Sequence, residues 1–205
     1  MARLANIAVF ALLTAAPQFA GCQRQSFDYS LPEPEPEQHR CSVKDRETGL
    51  VTRSWSILAY ADGRQLKHGE DRHWYPSGVR MSEGSFDHGD PSGRLRRWHE
   101  NGQLKSDHTF SEDGSLSPMK FWYENGQLKA LGNARHARRE GFWEYWTSEG
   151  ILRESGGYID GSRSGMWTIY FEDGSVKSVG RYGEGDRIGT WQHFLLGERP
   201  GSKSD

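Results

Sequence analysis

Aromatic and glycine residues recur along this chain with a period of 24 residues from Gly69 onwards. One position of the register carries Trp74, Trp98, Trp122, Trp146, Tyr170 and Phe194. Four residues later it carries Gly78, Gly102, Gly126, Gly150 and Gly174. Three residues before the first series it carries Asp71, Leu95, Met119, Trp143, Trp167 and Trp191. A fixed period of this length predicts tandem repeats, each of which buries its apolar face against its neighbours.

Each repeat is predicted to form a β-hairpin. In residues 141–164, a strand rich in aromatic residues spans 142–147, a turn ends at Gly150, and a second strand spans 151–159. Asn-Gly and Asp-Gly turns, which recur at this place in the register, are the strongest short-range signal for a hairpin. We therefore expect an all-β fold, an elongated single-layer antiparallel sheet of tandem 24-residue hairpins.

Composition explains how so thin a structure can be stable. The chain contains 8 Trp, 8 Tyr and 9 Phe, and each buried aromatic ring removes about 150 to 250 Å² from water. The net charge is only -2 and no basic stripe follows the chain. Phosphate binding needs such a stripe, so we expect no nucleic-acid partner.

The N-terminus is predicted to be an export signal, residues 1–21. Arg3 precedes an apolar run over residues 7–16, which is too short for a membrane-spanning helix of roughly 20 residues. Residues 19–22, Phe-Ala-Gly-Cys, resemble the bacterial lipobox, and this resemblance implies that Cys22 is lipidated and anchors the protein in the cell envelope. An ordinary secretory signal cut near Ala20 is the alternative.

Residues 22–40 are predicted to be a tether. Alternating Pro and Glu over residues 32–37 favour an extended polyproline II conformation. By resemblance to the sorting rule of Gram-negative lipoproteins, Gln23 after the lipidated cysteine implies the outer membrane. Cys41 is then left without a disulfide partner, whereas an unmodified Cys22 could pair with it.

The rest of the chain divides into three parts. Residues 41–68 are predicted to form an N-terminal cap with a degenerate repeat, because Trp55, Asp62-Gly63 and Leu66 follow the pattern out of register. Residues 69–196 are predicted to be the repeat array. Residues 197–205 are predicted to be a disordered tail.

The repeat itself resembles a known family. The two most regular units carry Gly141, Trp143, Tyr145, Trp146, Gly150 and Leu152, and then Gly165, Trp167, Tyr170, Gly174 and Val176. This pattern resembles the bacterial variant of the MORN repeat, whose proteins are commonly grouped as YwqK-family antitoxins of toxin-antitoxin systems. The resemblance covers residues 69–194 and implies a scaffold that binds proteins or membranes. The first three units depart from it, with Asp71, Leu95 and Met119 in place of tryptophan.

No catalytic or metal-binding motif stands out, so we expect no enzymatic activity, no cofactor and no metal site. The eight histidines do not fall on one common phase of the register, and the glycines are explained by turns. Three functions remain open: a protein-interaction scaffold, an antitoxin or immunity protein with a toxin as its partner, and a binder of glycans or anionic lipid headgroups.

The candidate binding surface is a row of tryptophans with nearby cations. An aromatic row with cations two residues upstream is suited to sugar stacking or to anionic groups. The alternative is that the row is the packed core of the sheet, with cationic stems laid over it. The residues of this surface are Trp74, Trp98, Trp122, Trp146, Arg72, Arg96 and Lys120.

Overall fold

The computed structural model describes residues 34–111, 113 and 115–197, and it confirms the prediction of an all-β fold. A single open sheet of 13 antiparallel strands follows the order of the sequence. Helices are absent from the described residues, so none of them offers a membrane-spanning helix. The strands are β1 (Glu37–Lys44), β2 (Val51–Ala59), β3 (Gln65–Trp74), β4 (Arg80–Asp87), β5 (Asp90–Trp98), β6 (Leu104–Phe110), β7 (Ser117–Trp122), β8 (Leu128–Arg135), β9 (Arg138–Trp146), β10 (Leu152–Ile159), β11 (Ser162–Tyr170), β12 (Val176–Gly183) and β13 (Asp186–His193).

The first strand begins inside the segment that the sequence assigned to the tether. Residues 37–40 belong to β1, where Glu37 pairs with Ala59 of β2. Pro36 is the last proline of the tether, and every later residue of β1 has a backbone N–H that can join the ladder. Cys41 is half-buried in β1. The predicted signal segment, Cys22 and most of the predicted tail lie outside the described residues.

Two kinds of turn alternate along the sheet. At the first, the Thr147 N–H donates to the Ile151 carbonyl at 2.8 Å, and Gly150 has φ 85°. At the second, Asp160 and Gly161 both have positive φ, 47° and 86°, as in the type I′ turn that matches the twist of paired strands. Glycine adopts positive φ at little cost, so the glycine register marks the hairpins.

A row of residues crosses the sheet and alternates large side chains with glycine. Gly156 of β10 pairs with Trp143 on one side and Trp167 on the other. A Cβ atom on Gly156 would lie 2.3 Å from the Trp167 indole, so this ring rests directly on the backbone of the preceding strand. The pairs Gly132–Trp143 and Gly180–Trp191 repeat the arrangement, at 2.3 and 2.2 Å.

These tryptophans form the aromatic core of the sheet. Trp143 and Trp167 are fully buried, with 0% exposure. Their indole N–H groups donate to the carbonyls of Asn133 and Gly157 at 2.9 and 3.0 Å. Tyr158 packs edge-on against both rings, with centroids 6.0 and 5.3 Å away. Trp143 and Trp167 therefore have both their polar and their apolar atoms satisfied.

At the β3 end of this row of alternating glycine and large residues, an aspartate holds the position that tryptophan has in the later repeats. Asp71 is 6% exposed and pairs across the sheet with Gly84. Its carboxylate lies 2.7 Å from Lys67 Nζ, 3.2 Å from Arg53 Nη2 and 3.0 Å from His73 Nε2. Burial alone would raise the pKa of Asp71, but the hydrogen bonds from Lys67 and Arg53 outweigh it and lower this pKa. The contacts along the row thus change from ion pairs at β3 to packed aromatic rings from β9 onwards.

Gly156→Ala should destabilise the sheet by about 3 kcal/mol, because its methyl group would collide with a ring that cannot move without breaking the core. Gly84→Ala is the matched control in the same row. Its Cβ would meet the flexible Leu95 Cδ1 at 2.8 Å, and we expect a loss of about 1 kcal/mol. Urea unfolding followed by tryptophan fluorescence and circular dichroism measures both. Equal losses would show that the ring on glycine is not the decisive contact.

Candidate functional site

A cleft of about 350 Å³ lies across β6 to β10 and combines basic with aromatic side chains. We refer to it as the basic cleft. None of its lining residues is acidic. Its basic residues are His99, Lys105, Lys129, Arg139 and Arg153, and its aromatic residues are Phe121, Trp122 and Tyr145.

Two of these cations belong to a row that repeats with the hairpins. Lys105, Lys129, Arg153 and Lys177 are spaced by 24 residues, each one residue into the second strand of its hairpin. Lys105 and Lys129 form no ion pair with any residue that the structure describes, whereas Arg153 lies 3.1 Å from Glu154. We call these four residues the basic row. The cleft therefore offers unneutralised positive charge.

A second set of cations is committed to the aromatic core. Arg163 lies 4.0 Å from the Trp167 ring centroid and 2.8 Å from the Glu154 carboxylate. Arg187 covers Trp191 at 4.1 Å, and Arg139 covers Trp143 at 5.1 Å. Cations over indole faces are attracted by the ring quadrupole. Only Arg139 of this set also lines the basic cleft.

Hydrogen bonds between repeats hold the backbone beside the cleft. The Tyr123 hydroxyl donates to the Trp146 carbonyl at 2.8 Å, and the Tyr75 hydroxyl donates to the Trp98 carbonyl at 3.0 Å. His99 Nε2 lies 3.0 Å from the Trp122 carbonyl. Each bond joins residues 23 positions apart. These bonds link successive hairpins and fix the spacing of the side chains between them.

The structure brings together part of the candidate surface predicted from the sequence, since Arg72 and Arg96 line one cleft and Arg96 lies 5.6 Å from the Trp98 ring centroid. The four tryptophans Trp74, Trp98, Trp122 and Trp146 are half-buried. Among the ring contacts of the described residues, none joins two of these four. Of the seven residues, the basic cleft includes only Trp122.

The cations predicted for that surface face carboxylates. Arg72 Nη2 lies 2.6 Å from Glu70, and Arg96 forms an ion pair with Glu83. Lys120 lies near Asp107, together with Arg94 and Arg96. The hydrogen bond from Arg94 is the largest effect on Asp107 and lowers its pKa, with smaller contributions from Arg96 and Lys120. Arg72 and Arg96 are therefore neutralised by the protein's own acids, whereas Lys120 lies beside a carboxylate that is already paired with Arg94.

The fold also brings together residues that the sequence left apart. His68, Asp87 and His88 each place one metal-ligating atom within 4.8 Å of the others. His68 and His88 are 20 residues apart and share no phase of the register. Only the pairing of β3 with β4 and the turn after β4 makes them neighbours.

Comparison with protein families agrees with this architecture. Residues 91–115 and 118–135 match the MORN repeat variant. The two matched segments cover β5 to β8 apart from the first residues of β5 and β7, and they include Lys105, Lys129, Phe121 and Trp122 of the basic cleft. MORN repeats are generally non-catalytic scaffolds, so the match indicates a repeat scaffold with a binding role. No curated protein matches the chain.

His108 breaks the glycine pattern of these MORN-type repeats. It occupies the row position held by glycine at Gly84 and Gly132, between Leu95 and Met119 instead of tryptophans. Its ring packs edge-on against Phe121 of the basic cleft, with centroids 5.0 Å apart. Burial, assisted by Arg97, lowers the pKa of His108 below its ordinary value of 6.5.

The stability of the protein should therefore fall as the pH drops from 7 to 5. In the unfolded chain His108 is protonated with a pKa of about 6.5. In the folded protein its pKa is lower, so His108 stays neutral to a lower pH. The contribution of neutral His108 to the free energy of unfolding is therefore fully present above the pKa of the unfolded chain. It is lost as the pH falls towards the lower pKa of the folded protein. His108→Leu should flatten this slope in urea unfolding measured at several pH values, whereas His136→Leu in an exposed turn serves as the control. An unchanged slope in His108→Leu would contradict the assignment.

Proposed function

We propose that the chain is a non-enzymatic protein-interaction scaffold whose basic cleft and basic row bind an extended acidic segment of a partner protein. The observation that carries this proposal is the pair of cations, Lys105 and Lys129, which form no ion pair among the described residues and line the same cleft as Trp122 and Tyr145. Charges beside an aromatic wall favour ligands that carry both carboxylates and apolar groups.

The spacing of the basic row supports a peptide ligand. Neighbouring strands lie about 4.8 Å apart, so equivalent residues of successive hairpins lie about 9.6 Å apart. A peptide in the extended polyproline II conformation advances about 3.1 Å per residue with three residues per turn, so every third side chain points the same way. A peptide that crosses the strands would therefore meet one cation at every third residue. Acidic residues at positions i, i+3, i+6 and i+9 of the peptide would then pair with Lys105, Lys129, Arg153 and Lys177.

Two narrower alternatives have less support. A binder of glycans or anionic lipid headgroups at the Trp74 to Trp146 row would use Arg72 and Arg96, which face Glu70 and Glu83 instead. An antitoxin role, which the resemblance to the YwqK family suggests, would make an envelope toxin the source of the acidic segment. It is therefore a special case of the same binding mode.

The peptide proposal is tested with the full chain and a fluorescein-labelled peptide that has Glu at every third position. We expect binding in fluorescence anisotropy that weakens with added salt, because surface charges are screened within about 8 to 10 Å at moderate ionic strength. Lys105→Gln with Lys129→Gln should weaken binding at least about tenfold, equivalent to 1.4 kcal/mol. The matched control, Arg72→Gln with Arg96→Gln and Lys120→Gln, removes three cations and should leave binding unchanged.

Other ligands distinguish the alternatives. A peptide of the same composition with its Glu residues in one block should bind more weakly, and equal binding would contradict the spacing argument. Phosphatidylglycerol vesicles or an anionic oligosaccharide should not compete with the spaced peptide. Binding of either one, lost in the triple variant and accompanied by no peptide binding, would overturn the proposal in favour of the glycan or lipid function.

We also propose that the scaffold is exported and anchored to the membrane through a lipid on Cys22, with the Pro- and Glu-rich segment as its tether. The lipobox-like residues 19–22 support this proposal. Cys22→Ala should release the protein from the membrane fraction or leave the precursor uncleaved. Cys41→Ala is the control and should remain anchored. Mass spectrometry that finds an unmodified N-terminus on the mature wild-type protein would contradict the anchor.

A further inference from the structure

His68, Asp87 and His88 form a compact cluster beside the turn that joins β4 to β5. Asp87 Oδ1 lies 3.1 Å from His68 Nδ1 and 2.7 Å from His88 Nδ1. The two imidazole rings meet edge-on, with centroids 5.1 Å apart. One ligating atom of each residue lies within 4.8 Å of the other two. Two ring nitrogens thus converge on one carboxylate.

The backbone holds this cluster in place. His88 and Gly89 form the two-residue turn, with φ values of 45° and 99°. The Gly89 N–H donates to the Lys67 carbonyl of β3 at 2.8 Å. The His88 N–H points at His68 Nδ1 at 3.5 Å. The turn is therefore fastened to the strand that carries His68, and the three side chains do not depend on a flexible loop to meet.

The separations suit a small divalent transition metal ion. With metal–ligand distances of about 2.0 to 2.1 Å, two ligand atoms of a tetrahedral zinc site lie about 3.3 Å apart. The distances of 3.1 and 2.7 Å to the carboxylate oxygen are close to this value, and the two ring nitrogens lie within 4.8 Å of each other. Two imidazoles with one carboxylate are a ligand set that Zn²⁺ accepts, with water at the fourth position.

We propose that His68, Asp87 and His88 bind a divalent transition metal ion, with Zn²⁺ as the best fit. The side chains are 31%, 55% and 58% exposed, so the ion can enter from solvent and keep a water ligand. Binding joins the β4–β5 turn to β3. The metal therefore ties the turn after β4 back to β3, three residues from Asp71, which stands in the row position of the core tryptophan.

The same fold supplies a matched control. His136 has the same place in its turn as His88, 48 residues later in the register, and the same positive φ, 47° against 45°. The residues 48 positions after Asp87 and His68 are Arg135 and Leu116. His136 therefore shares the turn of His88 without its ligand set.

The test is titration of the chelator-treated full chain with ZnCl₂ by isothermal calorimetry, together with thermal unfolding. We expect one site per chain and a rise in Tm with Zn²⁺, since a ligand that binds only the folded state stabilises it. MgCl₂ should have no such effect, because Mg²⁺ prefers oxygen ligands. Co²⁺ in place of Zn²⁺ should give visible absorption bands that report histidine and oxygen ligands.

Variants decide whether the binding occurs at this cluster. His68→Gln and His88→Ala should each weaken Zn²⁺ binding at least tenfold, since even changes outside the ligand shell cost about 10 to 100-fold. His136→Ala should bind as the wild type does. Asp87→Asn keeps the size of the side chain and covers the case in which a histidine variant misfolds. Absence of Zn²⁺ binding, or binding that survives all three ligand variants, would overturn the proposal.

Discussion

The contact on which this sheet depends is the indole ring that rests on a glycine of the preceding strand. Trp167 can be fully buried only because Gly156 has no side chain. The ring replaces the second layer that an open sheet normally needs to cover its apolar face. Because each of these rings covers the strand before it, the contacts of Trp143, Trp167 and Trp191 join successive strands between β8 and β13. The 24-residue period of the sequence places this contact at the same position in successive repeats.

The contact is not uniform along the sheet, and its exceptions are mutually consistent. Where the glycine is replaced by His108, the flanking residues are Leu95 and Met119 instead of tryptophans. Where the ring is replaced by Asp71, basic side chains neutralise the carboxylate. Removing one partner of such a pair leaves an uncompensated charge. The β3 to β6 region is therefore held by polar contacts, and the β8 to β13 region by close-packed rings.

The sequence predicts the strands and hairpins well because their signals are local. Turn glycines such as Gly150 and the alternation of side chains act over a few residues. Charge pairing is not local, and the sequence therefore does not distinguish the neutralised Arg72 from the unpaired Lys105, although both follow the register. His68 and His88 meet only through strand pairing and a turn of defined type. No spacing pattern in the sequence indicates that these two histidines lie close together.

The position of a residue in the 24-residue repeat decides whether it contributes mainly to stability or to the proposed binding surface. Positions in the glycine and tryptophan row are constrained by close packing, whereas the position of Lys105 lies at the start of a strand, where any long side chain fits. The array can therefore vary its binding surface without changing the spacing of its hairpins. The metal cluster lies in the part of the sheet where the ring core is missing. A metal ion there would add a cross-strand bond where close packing contributes least, so the proposed metal site compensates for the missing ring contact.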